Sequence, residues 1–181
     1  MNVTLELSEF SSLSLAEARN QIKFCNSYTR LPALIDLAMS VEFDDWLTLV
    51  GENWQDCDNI AQHIDKLCDL TPFGDVADQP SRSRHLLMNV RERGLLDALP
   101  ESVIVYRGCY HGNKWGWCWT LDRCVAEKFP SLHRYKQDGQ ALLVKAKIQR
   151  DKIIAYKGDR EEQEIICYRP AHISTSHIKT F

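Results

Sequence analysis

No stretch of this chain is long and apolar enough to span a bilayer as a helix, so no membrane association is expected of it. Its 8 glycines never fall into a Gly-x-Gly-x-x-Gly pattern, and no phosphate-loop lysine motif occurs, which leaves a Rossmann or nucleotide-triphosphatase reading without support. The 7 cysteines form no Cys-x-x-Cys pair. Met1 to Phe10 contains Glu6 and Glu9 but no basic residue, unlike a secretory leader. An odd number of cysteines without such a leader predicts free thiols in a reducing cytoplasm. Internal repeats and low-complexity segments are also missing.

What is present suits one solid domain, or a domain with a helical appendage: 181 residues, 44% hydrophobic and 26% charged. The net charge of −3 hides an asymmetry, since residues 1–80 hold 4 Lys/Arg against 14 Asp/Glu and residues 81–181 hold 18 against 11. A basic C-terminal half fits an anionic ligand such as a dinucleotide or a nucleic acid, and the acidic half reads as a solvated face or a surface for a basic target.

The first hundred residues read as helices. Ser14-Leu15-Ala16-Glu17 has the capping-box pattern, with Leu15, Ala18, Ile22 and Cys25 on one stripe. Asp44 is a candidate cap for a helix burying Trp46, Leu47 and Val50 and stopped by Gly51. Asp58 is one for a longer helix with Ile60, Ile64 and Leu67 inward. Ser81 opens a further helix that carries Leu86, Leu87 and Val90 and ends at Gly94.

From about residue 102 the period changes to two. Strands are expected over Val103–Gly108, Gly116–Thr120, Ala141–Ile148, Lys152–Tyr156, Gln163–Tyr168 and His172–Phe181. A short helix is expected after Asp122 as N-cap, with Val125 and Phe129 on one face and Pro130 as the stop. Helices followed by strands predict an α+β fold, with a helical region over 1–100 and a β-rich core over 101–181 forming one compact unit.

The chemistry is concentrated in the second half. Glu162 and Glu164 stand two apart ahead of Ile165 and Ile166, so a strand through them projects both carboxylates to one side. Upstream, Arg107 gives a permanently charged fork suited to phosphate, and Gly108 permits close backbone approach to a ligand. Trp115, Trp117 and Trp119 alternate toward Thr120, and Phe129 ends the short helix that would border a cleft.

In the order of these pieces, residues 103–168 resemble the ADP-ribosyltransferases of the arginine-serine-glutamate class, which include arginine-specific bacterial toxins and phage-encoded enzymes. The resemblance makes Arg107 the first-strand arginine, Cys118-Trp119-Thr120 the Ser-Thr-Ser strand, and Glu162-Gln163-Glu164 the Glu-x-Glu motif. It implies two small antiparallel sheets with nicotinamide adenine dinucleotide (NAD) in the cleft between them. It further implies transfer of ADP-ribose to a protein acceptor, arginine by virtue of Glu162, with release of nicotinamide; hydrolysis of NAD by water is the alternative reaction.

By the same resemblance, Glu164 is the catalytic carboxylate and Glu162 serves the acceptor. Arg107, Gly108, Cys118, Trp119, Thr120 and Phe129 contact the cofactor. Cys118 departs from the family's serine and offers a weaker, longer hydrogen bond.

Two other readings compete. Cys109, His111, Cys118 and Cys124 lie within sixteen residues but lack the paired spacing of a zinc site. Arg82, Arg84, Arg91 and Arg93 form a basic segment without a readout motif, so nucleic-acid binding is not expected of it. The remaining histidines show no nucleophile or partner pattern.

Overall fold

The computed structural model describes residues 12–158, 160 and 162–178. Helices come first: α1 (Leu15–Ile22), α2 (Arg30–Asp36), α3 (Phe43–Asn53), α4 (Ile60–Leu70), α5 (Phe73–Asp78), α6 (Pro80–Ser83) and α7 (Val90–Asp97). The strands are β1 (Ser102–Cys109), β2 (Cys118–Thr120), β3 (Leu142–Gln149), β4 (Ile153–Lys157), β5 (Glu164–Cys167) and β6 (Ala171–His177), with α8 (Arg123–Lys128) between β2 and β3. The expected closing strand therefore ends at His177, and its last positions, 179–181, lie outside the described residues, as does the acidic Met1 to Phe10 segment.

The capping box at α1 forms as the sequence reads: the Ser14 hydroxyl accepts from the Glu17 amide, and the Glu17 carboxylate accepts from the Ser14 amide. Helix α3 departs from expectation, because it passes through Gly51 to Asn53 and continues as a 3₁₀ turn, Trp54–Asp56. A Cβ on Gly51 would stand 2.4 Å from the Leu87 carbonyl oxygen, so this glycine permits close packing and does not end the helix.

Asp58 does not cap α4; Asn59 precedes that helix, and Asp58 instead meets Arg134 at 3.3 Å. The helix expected from Ser81 to Gly94 is broken into α6 and α7. Asn89 caps α7 in a second capping box with Glu92, and Val90 is exposed. The side-chain amide of Asn89 satisfies an orphan backbone N–H that no intrahelical carbonyl can reach, and that favours a new start there.

The strands hydrogen-bond in the order β4-β5-β2-β1-β3-β6, each neighbouring pair antiparallel. The expectation of two separate sheets gives way to one six-stranded sheet, joined across its middle. That junction is narrow: β1 pairs with β3 from Ser102 to Cys109, yet it meets β2 only at Tyr106↔Thr120. Beyond that pair β1 and β2 diverge. The strand expected from Gly116 starts only at Cys118, so Trp115 and Trp117 lie ahead of it.

One buried cluster runs through both regions, from Ala18 and Trp46 in the helices to Val105, Ile154 and Ile166 in the sheet. The helices cover one end of the sheet, where α7 and α6 pack on β4. An ion pair is sealed into this contact. Lys157 on β4 (4% exposed) reaches Glu92 on α7 (1% exposed) at 2.9 Å, and its ammonium also donates to the Leu87 carbonyl at 3.0 Å. Glu92→Gln leaves the Lys157 charge buried without its counter-ion, and the expected loss is ~3–5 kcal/mol in urea unfolding. Glu92→Gln combined with Lys157→Met is expected to cost less than Glu92→Gln alone, since no charge is then left unpaired.

Candidate active site

Beside the narrow β1–β2 junction lies a cavity of about 850 Å³, within the ~300–1,000 Å³ range usual for small-molecule sites. Every site residue named from the sequence lines it: Arg107, Gly108, Cys118, Trp119, Thr120, Phe129, Glu162 and Glu164. They arrive there by different local means.

Arg107 sits one residue past the β1–β2 junction and braces the opening. Its guanidinium donates to the Cys118 carbonyl at 2.5 Å and, through two nitrogens, to the Asn113 carbonyl at 3.2 and 3.3 Å. The loop that brings Asn113 there is a 3₁₀ turn, His111–Asn113, tied back by a Tyr110 amide to Asn113 Oδ1 bond of 2.8 Å. Gly116 lies beside it, and a Cβ there would stand 2.2 Å from Arg107 Nη2, so a larger residue would displace the guanidinium. Gly108 serves helix packing: its missing Cβ would lie 1.8 Å from the Ala126 carbonyl oxygen on α8. The glycine thus lets α8 lie against β1 at the cavity wall, a role that differs from the ligand approach read from the sequence.

Register sets the carboxylates. Thr120 stands opposite Glu164 and Cys118 opposite Ile166, so Cys118, Thr120 and Glu164 belong to one face of the β2–β5 pair, and Trp119 and Ile165 to the other. Strand β5 begins only at Glu164. Gln163 has φ +46°, a left-handed conformation that interrupts the alternation expected between Glu162 and Glu164. Glu162 reaches the same cavity through a turn. The Thr120 hydroxyl pins that turn by donating to the Glu162 carbonyl at 2.5 Å, while accepting from the Asp122 amide at 3.0 Å.

The Glu164 carboxyl is partly buried at the inner end of the cavity, and burial raises its pKa above the usual carboxylate value. The nearby Glu162 charge pushes the same way, while the Trp54 N–H bond and the neighbouring Cys118 side chain favour the ionised form. Cys118 is itself held well above the ordinary thiol range, first by burial and then by the Glu164 charge, so it stays a protonated donor. Trp54 Nε1 donates to Glu164 Oε1 at 3.2 Å from the 3₁₀ turn after α3, 110 residues away in sequence.

Sequence reasoning missed Trp54 and its neighbour Gln55. Nothing local marked either, since a tryptophan following a helix reads as core, and Trp54 is 1% exposed. It also missed Tyr135, whose ring lies 5.5 Å from that of Phe129. The alternating tryptophans separate. Trp119 is buried with its indole N–H on the Gly116 carbonyl, Trp117 packs on Tyr168 at 4.9 Å, and Trp115 is exposed against His172.

Five basic side chains, Arg107, Lys114, Arg134, Arg160 and Arg169, line the cavity against four acidic ones, Asp58, Asp65, Glu162 and Glu164. Arg134 and Arg160 are paired with Asp58 and Asp56, whereas Arg107, Lys114 and Arg169 have no carboxylate at ion-pair distance among the described residues. Cys109 is buried and Cys124 exposed, and among the described residues no three His, Cys, Asp or Glu side chains gather as a metal site. In the basic segment, Arg84 is spent on the Arg150 carbonyl and Arg93 on the His85 carbonyl. No helix among the described residues is long and apolar enough to cross a membrane. Set against protein-family models, curated proteins and solved structures, the chain matches nothing.

The raised pKa of Glu164 carries a stability consequence. Below the unfolded-state value both folded and unfolded chains hold the proton and no penalty exists; as pH rises through the folded value, ionising the buried group costs stability. Glu164→Gln removes that cost. Its melting temperature is expected to exceed that of the wild type at neutral pH, with the gap closing as pH falls toward 4.5; thermal melts across this range check it.

Proposed function

We propose that this protein is a mono-ADP-ribosyltransferase that uses NAD and modifies an arginine of a protein target. The observation that carries the reading is the convergence of Arg107, Cys118, Glu162 and Glu164, drawn from three separated segments, on one cavity.

The residues present fit such a ligand. Arg107 uses three N–H bonds on backbone carbonyls, and its other N–H groups and its uncompensated charge suit a pyrophosphate. Lys114 and Arg169 add positive potential at the same cavity. When bound, NAD supplies a ribose–nicotinamide bond whose cleavage puts positive charge on the sugar. Glu164, ionised and shielded from bulk water, is the group that stabilises such charge, because a fixed carboxylate in a partly dry site interacts more strongly than in solution. Cys118 and Trp54 orient it. Glu162 takes the acceptor's proton, a step that arginine needs because its pKa is above ~12.

Nicotinamide release and arginine labelling test this directly. Glu164→Gln keeps the shape but removes the charge, and nicotinamide release is expected to fall by at least ~100-fold; wild-type rates in this variant would refute the assignment. Glu162→Gln is expected to lose most transfer to arginine while hydrolysis of NAD continues, since water needs no guanidinium deprotonated. Equal loss of both reactions would assign Glu162 a structural role instead.

The thiol in the family's serine position generates a further expectation. Cys118→Ser offers Glu164 a stronger donor of similar size and is expected to keep or raise turnover. Cys118→Ala loses a bond worth ~1 kcal/mol, a several-fold drop. A slower, less stable serine variant beside a normal alanine variant would mean that Cys118 acts as a small buried hydrophobe.

A further inference from the structure

The carboxyl on which the proposed chemistry depends is held partly by a residue outside the β-rich region. Trp54 ends the α3 segment, and its indole N–H is 3.2 Å from Glu164 Oε1. Its ring is fixed. It is 1% exposed and lies nearly parallel to Phe73, with centroids 5.7 Å apart and planes at 12°. Phe73, fully buried, continues to Trp117 at 6.0 Å, so the ring on which the indole stacks is itself held against the loop before β2. Gln55 follows directly. Its amide atoms are buried without a partner at full hydrogen-bonding geometry, and its side chain leans on the same carboxyl and favours the charged form.

A donor so constrained does two things for a carboxylate. It selects one rotamer by offering a bond in only one direction, and it opposes the burial that drives the group toward its neutral form. The indole N–H is donor-only, so it can serve the ionised carboxylate but has nothing to accept from a protonated one.

We propose that Trp54 is a positioning residue for Glu164, so that the helical region supplies part of the catalytic apparatus through the Trp54–Asp56 turn. This rests on the transferase reading for its kinetic consequence, but the electrostatic consequence stands apart from it. The other groups facing Glu164 are Cys118 on β2, Glu162 on the preceding turn and Gln55 beside Trp54. Lys157, opposite Glu164 in register on β4, is committed to Glu92.

Two variants of the full chain separate positioning from packing. Trp54→Phe keeps an aromatic ring on Phe73 but removes the N–H together with part of the indole's volume; Phe73→Leu is the packing control, which loosens the stack and keeps the N–H. In Trp54→Phe the acid limb of the pH profile for nicotinamide release is expected to move up by about one unit, with kcat down about tenfold and KM little changed. In Phe73→Leu the melting temperature is expected to fall while the acid limb stays in place. An unmoved limb in Trp54→Phe, or equal shifts in both variants, overturns the proposal. Titration of the Glu164 carboxyl carbon by NMR in the free protein reads the same shift without turnover. If the wild type releases no nicotinamide, the transferase reading falls, and the titration alone still decides the role of Trp54.

Discussion

A single residue pair, Tyr106 with Thr120, joins the two halves of the sheet, and residues of both strands beyond that pair line the cavity. Were β1 and β2 zipped further, backbone hydrogen bonds would fill the space between them. The cost of leaving strand edges open is met locally, since Arg107 satisfies the Cys118 carbonyl and the Asn113 carbonyl at the point of divergence. One guanidinium therefore ties the two backbone segments together and brings to the cleft a charge with no carboxylate at ion-pair distance among the described residues. Glycine at 116 and at 108 follows from the same constraint, because one site must clear the guanidinium and the other the α8 backbone.

The carboxyl of Glu164 is held in the cleft against several unfavourable effects. Glu164 is partly desolvated, stands near a second carboxylate, and begins a strand directly after a residue at positive φ. Each of these is unfavourable. They are tolerated because β5 is anchored by Ile165, Ile166 and Cys167, all buried, and because donors on two sides receive the carboxyl. Cys118 reaches it from β2 and Trp54 from the helical layer. The helices are thus part of the site and not merely a cover over the sheet.

Much of the fold was legible because its causes are local. β-branched and alternating runs marked all six strands within a few residues, although only β1 and β3 alternate in burial while β4 is buried and β6 exposed throughout. Ser14 and Asp122 announced the caps they make, because side-chain capping involves the next three residues only. The candidate residues drawn from the order of motifs, Arg107, the Cys118–Thr120 strand, Glu162 and Glu164, all line one cavity. Where local rules were applied to glycine they misled. Gly51 and Gly94 lie inside helices, and the meaning of Gly51 depends on the Leu87 backbone, which no local window contains.

By itself, then, the sequence determined the element types, the caps at Ser14 and Asp122, and a set of candidate side chains that meet at one cavity, because propensity and side-chain capping are properties of short segments. Tertiary structure alone decided that the strands make one sheet with a narrow waist, that Lys157 is buried against Glu92, and that Gly108 serves a helix. It alone brought Trp54 to Glu164 across 110 residues. The physical reason is that hydrogen bonds and contacts between distant segments are selected by how whole elements pack, and their energies depend on burial that no single segment can create.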